Sequence, residues 1–550
     1  MSNRYLLFFL IFSFFFACTY KTSELHEHIA ELTAEDLVSE NADFIPLFDS
    51  LSVDNRIEIN QIYADNAYKP IFISKKGVVN ETGKIIQSLI ENSLYYGIPQ
   101  SRIYVPFENK DSLKNELVIF TKDVQLTIGF LRLLDDLKHG FSDSLKMQKR
   151  IFGLSETANL DAVKKMTNKQ KIVDFVESFT SKNGHYQMLA QELKNHVDTL
   201  DVSLQLFKVP LSKKDTILSY ISALKNLKLK NFPFDENENP KDVIKRFQKK
   251  VGISADGKIN EPTKHSLEET PLDIAHRIAW AMEKTRYAPE ILPKQFIRVN
   301  IPEFQLYYFN EDTIASIHNV VVGRLENNTP TLKSKINRII TLPYWNVPHK
   351  IATKEILPAV KANINYLERN QMEILRGDNV VDPHTVNWTK LNEKNFPYRV
   401  RQLPGVKNSL GIIKFEFYNP YDVYVHDTPQ KALLNSPNRT YSHGCIRCKD
   451  PIELGKKILK INEKNVDKRF VADSLDSILA RQEQNAIYIR KGIPIFIEYN
   501  TVAVTMVVKK EHKEKDKPDE YEEKVLYFRD VYFKDEEIGQ FFFGKKSYAE

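Results

Sequence analysis

The chain has 550 residues, too many for one hydrophobic core, so three or more folded units are expected. Its 42% hydrophobic content, with 33 Phe and 25 Tyr, is that of a globular protein. The 78 basic and 72 acidic residues leave a net charge of +6 with no basic stripe interleaved with aromatics, which argues against a nucleic-acid partner; three cysteines cannot build a disulfide scaffold.

In chain order, Arg4 precedes an apolar run, Leu6 to Ala17, that ends at Cys18. The run is shorter than the about 20 residues of a membrane span but suits the core of an export signal. Ala17 before Cys18 resembles a bacterial lipoprotein processing site. Residues 1–18 are therefore expected to be a signal peptide, with lipidation of Cys18 anchoring an exported chain to a membrane; an uncleaved single anchor is the alternative. Residues 19–40 are polar and read as a tether. Residues 41–231 follow a helical pattern, with Val124, Leu126, Ile128, Phe130, Leu131, Leu133 and Leu134 as a stretch expected to lie between other helices. Within 236–270, Val243, Ile244, Phe247 and Gln248, then Val251-Gly252-Ile253, Asp256-Gly257-Lys258-Ile259, Thr263 and Leu267 resemble a peptidoglycan-binding helical repeat; an ordinary helical hairpin is the alternative. Residues 272–290 read as a linking helix.

From Ile297 the texture changes to strands: Ile297 to Val299, Gln305 to Phe309, Ile317 to Val322 and Arg338 to Leu342. Residues 348–401 read as a polar, helical insertion. Lys414 to Tyr418 and Tyr421 to His426 alternate around Asn419-Pro420, with Tyr424 and His426 on one face and Val423 and Val425 on the other. The run Tyr441-Ser442-His443-Gly444-Cys445-Ile446-Arg447 follows, and Asp450-Pro451-Ile452-Glu453 reads as an N-cap, a proline at the first position and the start of a helix. Two further strands are expected at Ile493 to Val508 and Lys524 to Tyr532, joined by a charged, solvated loop.

The run around Cys445 is where chemistry concentrates. A free thiol with a pKa of about 8.5 needs a neighbouring base or cation to attack at neutral pH. His426 is suited to take the proton, Gly444 permits a tight turn that aims amide N–H groups at an oxyanion, and Arg447 offers a planar fork for a substrate carboxylate or carbonyl. The bland alternatives are a buried structural thiol, a satisfied strand histidine, a structural His443 and an ion-paired Arg447. Cys448 completes a C-x-x-C, so a Cys445–Cys448 disulfide that silences the thiol is one expectation and a buried, unreactive Cys448 the other.

His426-Asp427-Thr428-Pro429 followed by Ser442-His443-Gly444-Cys445-Ile446-Arg447 resembles the signature of the L,D-transpeptidases, whose catalytic domain is of the YkuD type, and in particular the YcbB-like long form. Pro343-Tyr344-Trp345-Asn346-Val347-Pro348, Lys354-Glu355-Ile356-Leu357-Pro358, Leu410-Gly411 and Lys414-Phe415 are similar to that group as well; Cys448 departs from it. The resemblance implies a cysteine that attacks the bond between the third-position diamino acid and the terminal D-alanine of a peptidoglycan stem tetrapeptide. A thioester forms, and an amine of a neighbouring stem resolves it into a cross-link. By position it implies Cys445 as nucleophile, His426 as base and acid, and the Asp427 backbone carbonyl orienting the imidazole. It also implies a backbone contribution from Gly444 to the oxyanion site, and Arg447, His443, Ser442 and Tyr424 around the donor stem. No metal or organic cofactor is implied.

Donor hydrolysis and attachment of a protein amine to the wall use the same residues and are not separated by the sequence; a non-catalytic wall-binding lipoprotein and a disulfide oxidoreductase are the readings from other classes. The fold class expected is α+β. It comprises a helical scaffold, a small peptidoglycan-binding-like module, and a mainly antiparallel β catalytic domain over 291–534 with a helical cap at 348–401 and C-terminal strands at 493–534. The protein is expected outside the cytoplasm, in the periplasm of a bacterial envelope, with peptidoglycan stem peptides and glycan as its partners.

Overall fold

The computed structural model describes residues 62–63, 66, 69–103, 116–142, 168–200, 204–211, 216–288, 292–311, 313–510, 520–535 and 538–539. The expected signal peptide, Cys18, the tether and most of the charged loop after 510 lie outside the described residues. Among the described residues no helix is long and apolar enough to cross a membrane.

Helix Glu116–His139 contains the apolar stretch singled out above, and Val124, Ile128, Phe130, Leu131, Leu133 and Leu134 are all buried. Residues of helices Glu81–Glu91 and Lys169–Glu177 share its core. A helix covered on every side must also satisfy its polar positions. Asp123 does so by accepting from the N–H groups of Ile71, Phe72 and Ile73 at 2.8, 2.6 and 2.8 Å and from the Tyr63 hydroxyl at 2.7 Å.

The small helical unit has its own core of Val243, Ile244, Phe247 and Leu267. Inside it the buried Gln248 amide accepts from Gly257 N at 2.7 Å and donates to Lys258 O at 2.8 Å. Ala223 and Leu227 of helix Thr216–Leu229 belong to the same core, so the unit begins well before residue 236. Helix Pro271–Arg286, opened by a Thr270–Asp273 capping box, packs against helix Gly184–Asp198 and leads into the sheet.

The β domain is built from β1 (Gln295–Asn300), β2 (Gln305–Asn310), β3 (Thr313–Gly323) and β4 (Leu332–Thr341), then the insertion strands β5 (Trp345–Asn346), β6 (Met372–Arg376), β7 (Asn379–Val381) and β8 (Arg399–Gln402). After these come β9 (Ile413–Phe417), β10 (Val425–His426), β11 (Thr440–Ser442), β12 (Ile446–Cys448) and β13 (Asn485–Glu498), and finally β14 (Val502–Lys510) and β15 (Glu520–Tyr527). The main sheet has the order β11-β3-β12-β10-β9-β4-β13-β1-β2, and β2 also pairs with β3, which closes it into a barrel and leaves β11 beside β3. Closure removes the free edges that an open sheet would present. The β1–β13, β10–β12 and β3–β11 pairs are parallel and the rest antiparallel. Val299, Leu306, Val320, Ile339, Phe415, Val425 and Ile446 fill the interior, together with Leu454, Ile458 and Leu459 of helix Pro451–Ile461.

Three local expectations are corrected. The insertion is not simply helical: β5-β8-β6-β7 form a four-stranded sheet that shares a core of Val347, Ile356, Val360, Ile374, Phe396 and Val400 with the insertion's helices. Its strands are too short for alternation to show. The single strand expected over Ile493 to Val508 is two, β13 and β14, because the chain leaves the barrel at Tyr499–Thr501, where Asn500 N donates to Asn300 Oδ1 at 2.9 Å and Arg277 Nη2 donates to Thr501 O at 3.0 Å. Asp450 precedes helix Pro451–Ile461 but has φ 48° and makes no side-chain cap.

Candidate active site

The site is assembled by strand register. Val425 lies opposite Phe415 and Ile446, and His426 lies opposite Lys414 on β9 and Arg447 on β12. Period-two alternation then divides the residues cleanly. Phe415, Val425, Ile446 and Cys448 point into the core, while Lys414, Tyr424, His426 and Arg447, with Cys445 two residues before Arg447, occupy the opposite face. The turn between β9 and β10 is tied by Asn419, whose Nδ2 donates to Phe417 O and Val423 O at 3.0 and 2.8 Å and whose Oδ1 accepts from Tyr421 N and Val423 N, both at 3.1 Å.

His426 is buried, and Nδ1 faces the Asp427 carbonyl at 2.5 Å. A carbonyl only accepts, so Nδ1 carries the hydrogen and Nε2 is left as the lone-pair nitrogen. Burial first, then the Arg447 charge and Lys414, lower the imidazole pKa to about 3, with the carbonyls of Asp427 and Leu410 opposing. The ring is therefore neutral at pH 7. The Asp427 carboxylate plays a separate part: it accepts from Ile412 N at 3.1 Å, pairs with Lys431 and fills the space beside Gly411. A Cβ at Gly411, where φ is +62°, would lie 2.2 Å from Asp427 Oδ2.

Cys445 is partly buried, and its thiol donates weakly to Asp422 O at 3.8 Å. Burial pushes its pKa up, while Tyr424, Lys414 and Arg447 pull it down. It makes no hydrogen bond to His426; the two side chains are one diagonal step apart on adjacent parallel strands. The Tyr424 ring bridges that step, 5.6 Å from the imidazole and in electrostatic contact with the thiol. Lys414 Nζ sits 4.0 Å from the centre of the same ring and pairs with Glu416 at 2.6 Å. Sequence reasoning noted Lys414 only as part of a motif; the β9–β10 register sets it opposite His426.

The loop before Cys445 is held internally. The buried Ser442 hydroxyl donates to Cys445 O at 2.6 Å and accepts from Gly444 N at 3.0 Å, which uses its one donor inside the loop and engages the Gly444 N–H that was expected at an oxyanion. Gly444 has φ +120°, a conformation closed to other residues. The Gly444 carbonyl accepts from Thr329 Oγ1 at 2.8 Å. His443 is exposed, with Nε2 2.7 Å from Glu355 of the insertion, and Arg324 lies 3.6 Å from the same carboxylate. Arg447 is partly buried, and its Nη1 donates to Gln430 Oε1 at 2.7 Å. Cys448 is fully buried on the core side of β12, so its sulfur and that of Cys445 point to opposite faces, and in this structure both are free thiols. No grouping of three or more His, Cys, Asp or Glu suited to a metal occurs among the described residues.

The family of L,D-transpeptidase catalytic domains of the YkuD type matches residues 294–466, which contain every residue of the site just described, and a scaffold-domain family matches residues 57–193. The chain carries an L,D-transpeptidase catalytic domain behind a scaffold domain. A Haemophilus influenzae protein named as an inferred L,D-transpeptidase is 32% identical over 230 residues, a match that covers 42% of this chain and 45% of that protein. The chain thus spans about half the length of the curated relative it matches. The crystal structure of an L,D-transpeptidase from Xylanimonas cellulosilytica DSM 15894 aligns over 54% of this chain and 97% of that one at 11% identity, with a TM-score of 0.14, a likeness too slight to bear on the fold.

Proposed function

We propose that this L,D-transpeptidase cross-links peptidoglycan stems through their third-position diamino acid residues, with Cys445 as the nucleophile and His426 as the proton carrier. The observation that carries this reading is the shared face of Cys445, His426 and Arg447, with His426 Nε2 held as an acceptor by the Asp427 carbonyl. The resting pair is a neutral thiol and a neutral imidazole, since burial disfavours charge on both. Proton transfer to Nε2 accompanies attack of sulfur on the donor carbonyl. The imidazolium returns the proton to the leaving D-alanine amine as the carbon–nitrogen bond breaks, and a thioester remains. An amine of a second stem then attacks that thioester and restores the thiol. Arg447 and His443 hold the donor stem, and Tyr424 lines its path. The insertion acts as a lid that limits water, the small helical unit binds wall glycan, and a lipid on Cys18 tethers the exported enzyme.

The test is incubation of the purified chain with stem tetrapeptides, following D-alanine release and dimer formation by mass spectrometry. Cys445→Ala and His426→Ala are expected to abolish both products and Cys448→Ala to retain them. Activity that survives Cys445→Ala, or that needs Cys448, refutes the assignment.

A further inference from the structure

Thr329 lies on the segment after β3, 115 residues before Gly444 in sequence, and it is fully buried. Its hydroxyl accepts from Gly323 N and donates to Gly444 O, both at 2.8 Å. Its own N–H donates to the Tyr532 hydroxyl at 3.2 Å, and that hydroxyl donates to Gly323 O at 2.7 Å. Tyr532 is fixed in turn by its N–H donating to the Tyr499 hydroxyl at 2.8 Å. The approach of this segment to β3 depends on glycine: a Cβ at Gly323 would lie 2.1 Å from Asn327 O and 2.7 Å from Thr329 N.

Gly444 O is therefore gripped from the protein interior. The peptide that follows it is trans, and a trans peptide directs its N–H opposite to its carbonyl. With Gly444 O turned in toward Thr329, the Cys445 N–H is turned away from it. Ser442 engages the neighbouring groups, Gly444 N and Cys445 O, while the Cys445 N–H has no hydrogen-bond partner among the described residues. A donor next to a nucleophilic sulfur, rigidly aimed and unpaired, has the properties of an oxyanion donor.

We propose that Thr329 is a positioning residue for acyl transfer at Cys445: by holding the Gly444 carbonyl it aims the Cys445 N–H at the oxyanion of the tetrahedral intermediate. This deepens the transpeptidase reading and rests on Cys445 being the acylated group. Tyr532 supports Thr329 from the C-terminal segment, which makes residues beyond the matched catalytic domain part of the arrangement.

The experiment compares two small reagents on the full chain. Acetylation by p-nitrophenyl acetate forms a carbon–sulfur bond and expels p-nitrophenolate through a tetrahedral oxyanion, with the thiol proton passing to His426. Alkylation by iodoacetamide displaces iodide and forms no oxyanion. Thr329→Val is expected to slow acetylation of Cys445 about 10- to 100-fold, somewhat less than the ~10²–10³-fold cost of deleting such a donor outright, with alkylation changed less than about twofold. Thr329→Ser, which keeps the hydroxyl, is expected to restore the wild-type ratio of the two rates. Tyr532→Phe is expected to lower the ratio severalfold, and decides the matter if Thr329→Val does not fold. Rates that fall in parallel, or a ratio that Thr329→Val and Tyr532→Phe leave unchanged, overturn the proposal. Wild-type protein that alkylates but never acetylates removes the acyl-transfer reading, and the proposal with it.

Discussion

Replacing His426 with Gln should change how stability depends on pH, and the size of the change follows from the burial of the imidazole. The folded pKa is about 3, against an unfolded value of about 6.5. Because the folded pKa is depressed, the unfolded chain takes up the proton first as pH falls. Stability is accordingly lost from about pH 6.5 downward and the loss levels off near pH 3. One proton contributes a slope of about 1.4 kcal/mol per pH unit inside that window. Between pH 7.5 and pH 5 the term amounts to about 2 kcal/mol, with almost none of it above pH 7. Urea unfolding of the full chain and of His426→Gln at both pH values isolates this term, since other titrating groups cancel in the difference. Wild type is expected to lose about 2 kcal/mol more than the variant over that interval. Equal losses would show that the imidazole is not held neutral, and would remove the proton acceptor from the mechanism.

Cys448→Ala should retain transpeptidation within about threefold and cost about 1–2 kcal/mol in urea unfolding, as a small core deletion does; peptide mapping of air-exposed protein should recover Cys445 and Cys448 as separately alkylated thiols. Lys414→Met removes a cation that lowers the Cys445 thiol pKa, so the pH–rate profile for iodoacetamide alkylation should move to higher pH with its plateau unchanged, and an unmoved profile would exclude Lys414 from the site. Glu355→Gln breaks the contact of the insertion with His443 and Arg324. Its exposed partners make the stability change less than about 1 kcal/mol, yet hydrolysis relative to cross-linking should rise; an unchanged ratio of free D-alanine to dimer would refute the lid role.

The chemistry-bearing residues were legible because they are local in sequence. The alternation Tyr424/His426 against Val423/Val425 is enough to assign faces, and the same counting from Cys445 places Arg447 beside it and sends Cys448 to the core. What sequence could not show comes from register and from distant segments. Lys414 faces His426 only because β9 and β10 pair at that offset. Thr329 and Glu355 reach the loop from 115 and 88 residues away, Tyr532 meets Thr329 across 203, and nothing in their neighbours announces it. The insertion was misread as helical because β6, β7 and β8 are three to five residues long, too short for a period of two to register against helix-forming neighbours. The place of Ser442 in the motif gives no sign that its hydroxyl braces the backbone on either side of Gly444.

The most direct measurement is intact-protein mass spectrometry of the chain quenched in acid during turnover of a stem tetrapeptide, followed by mapping of the adduct. A mass increase equal to the tripeptide acyl group is expected on Cys445, labile to hydroxylamine as a thioester is, and absent in Cys445→Ala. A chain that releases D-alanine with no adduct on Cys445, or with the acyl group on another residue, would contradict it.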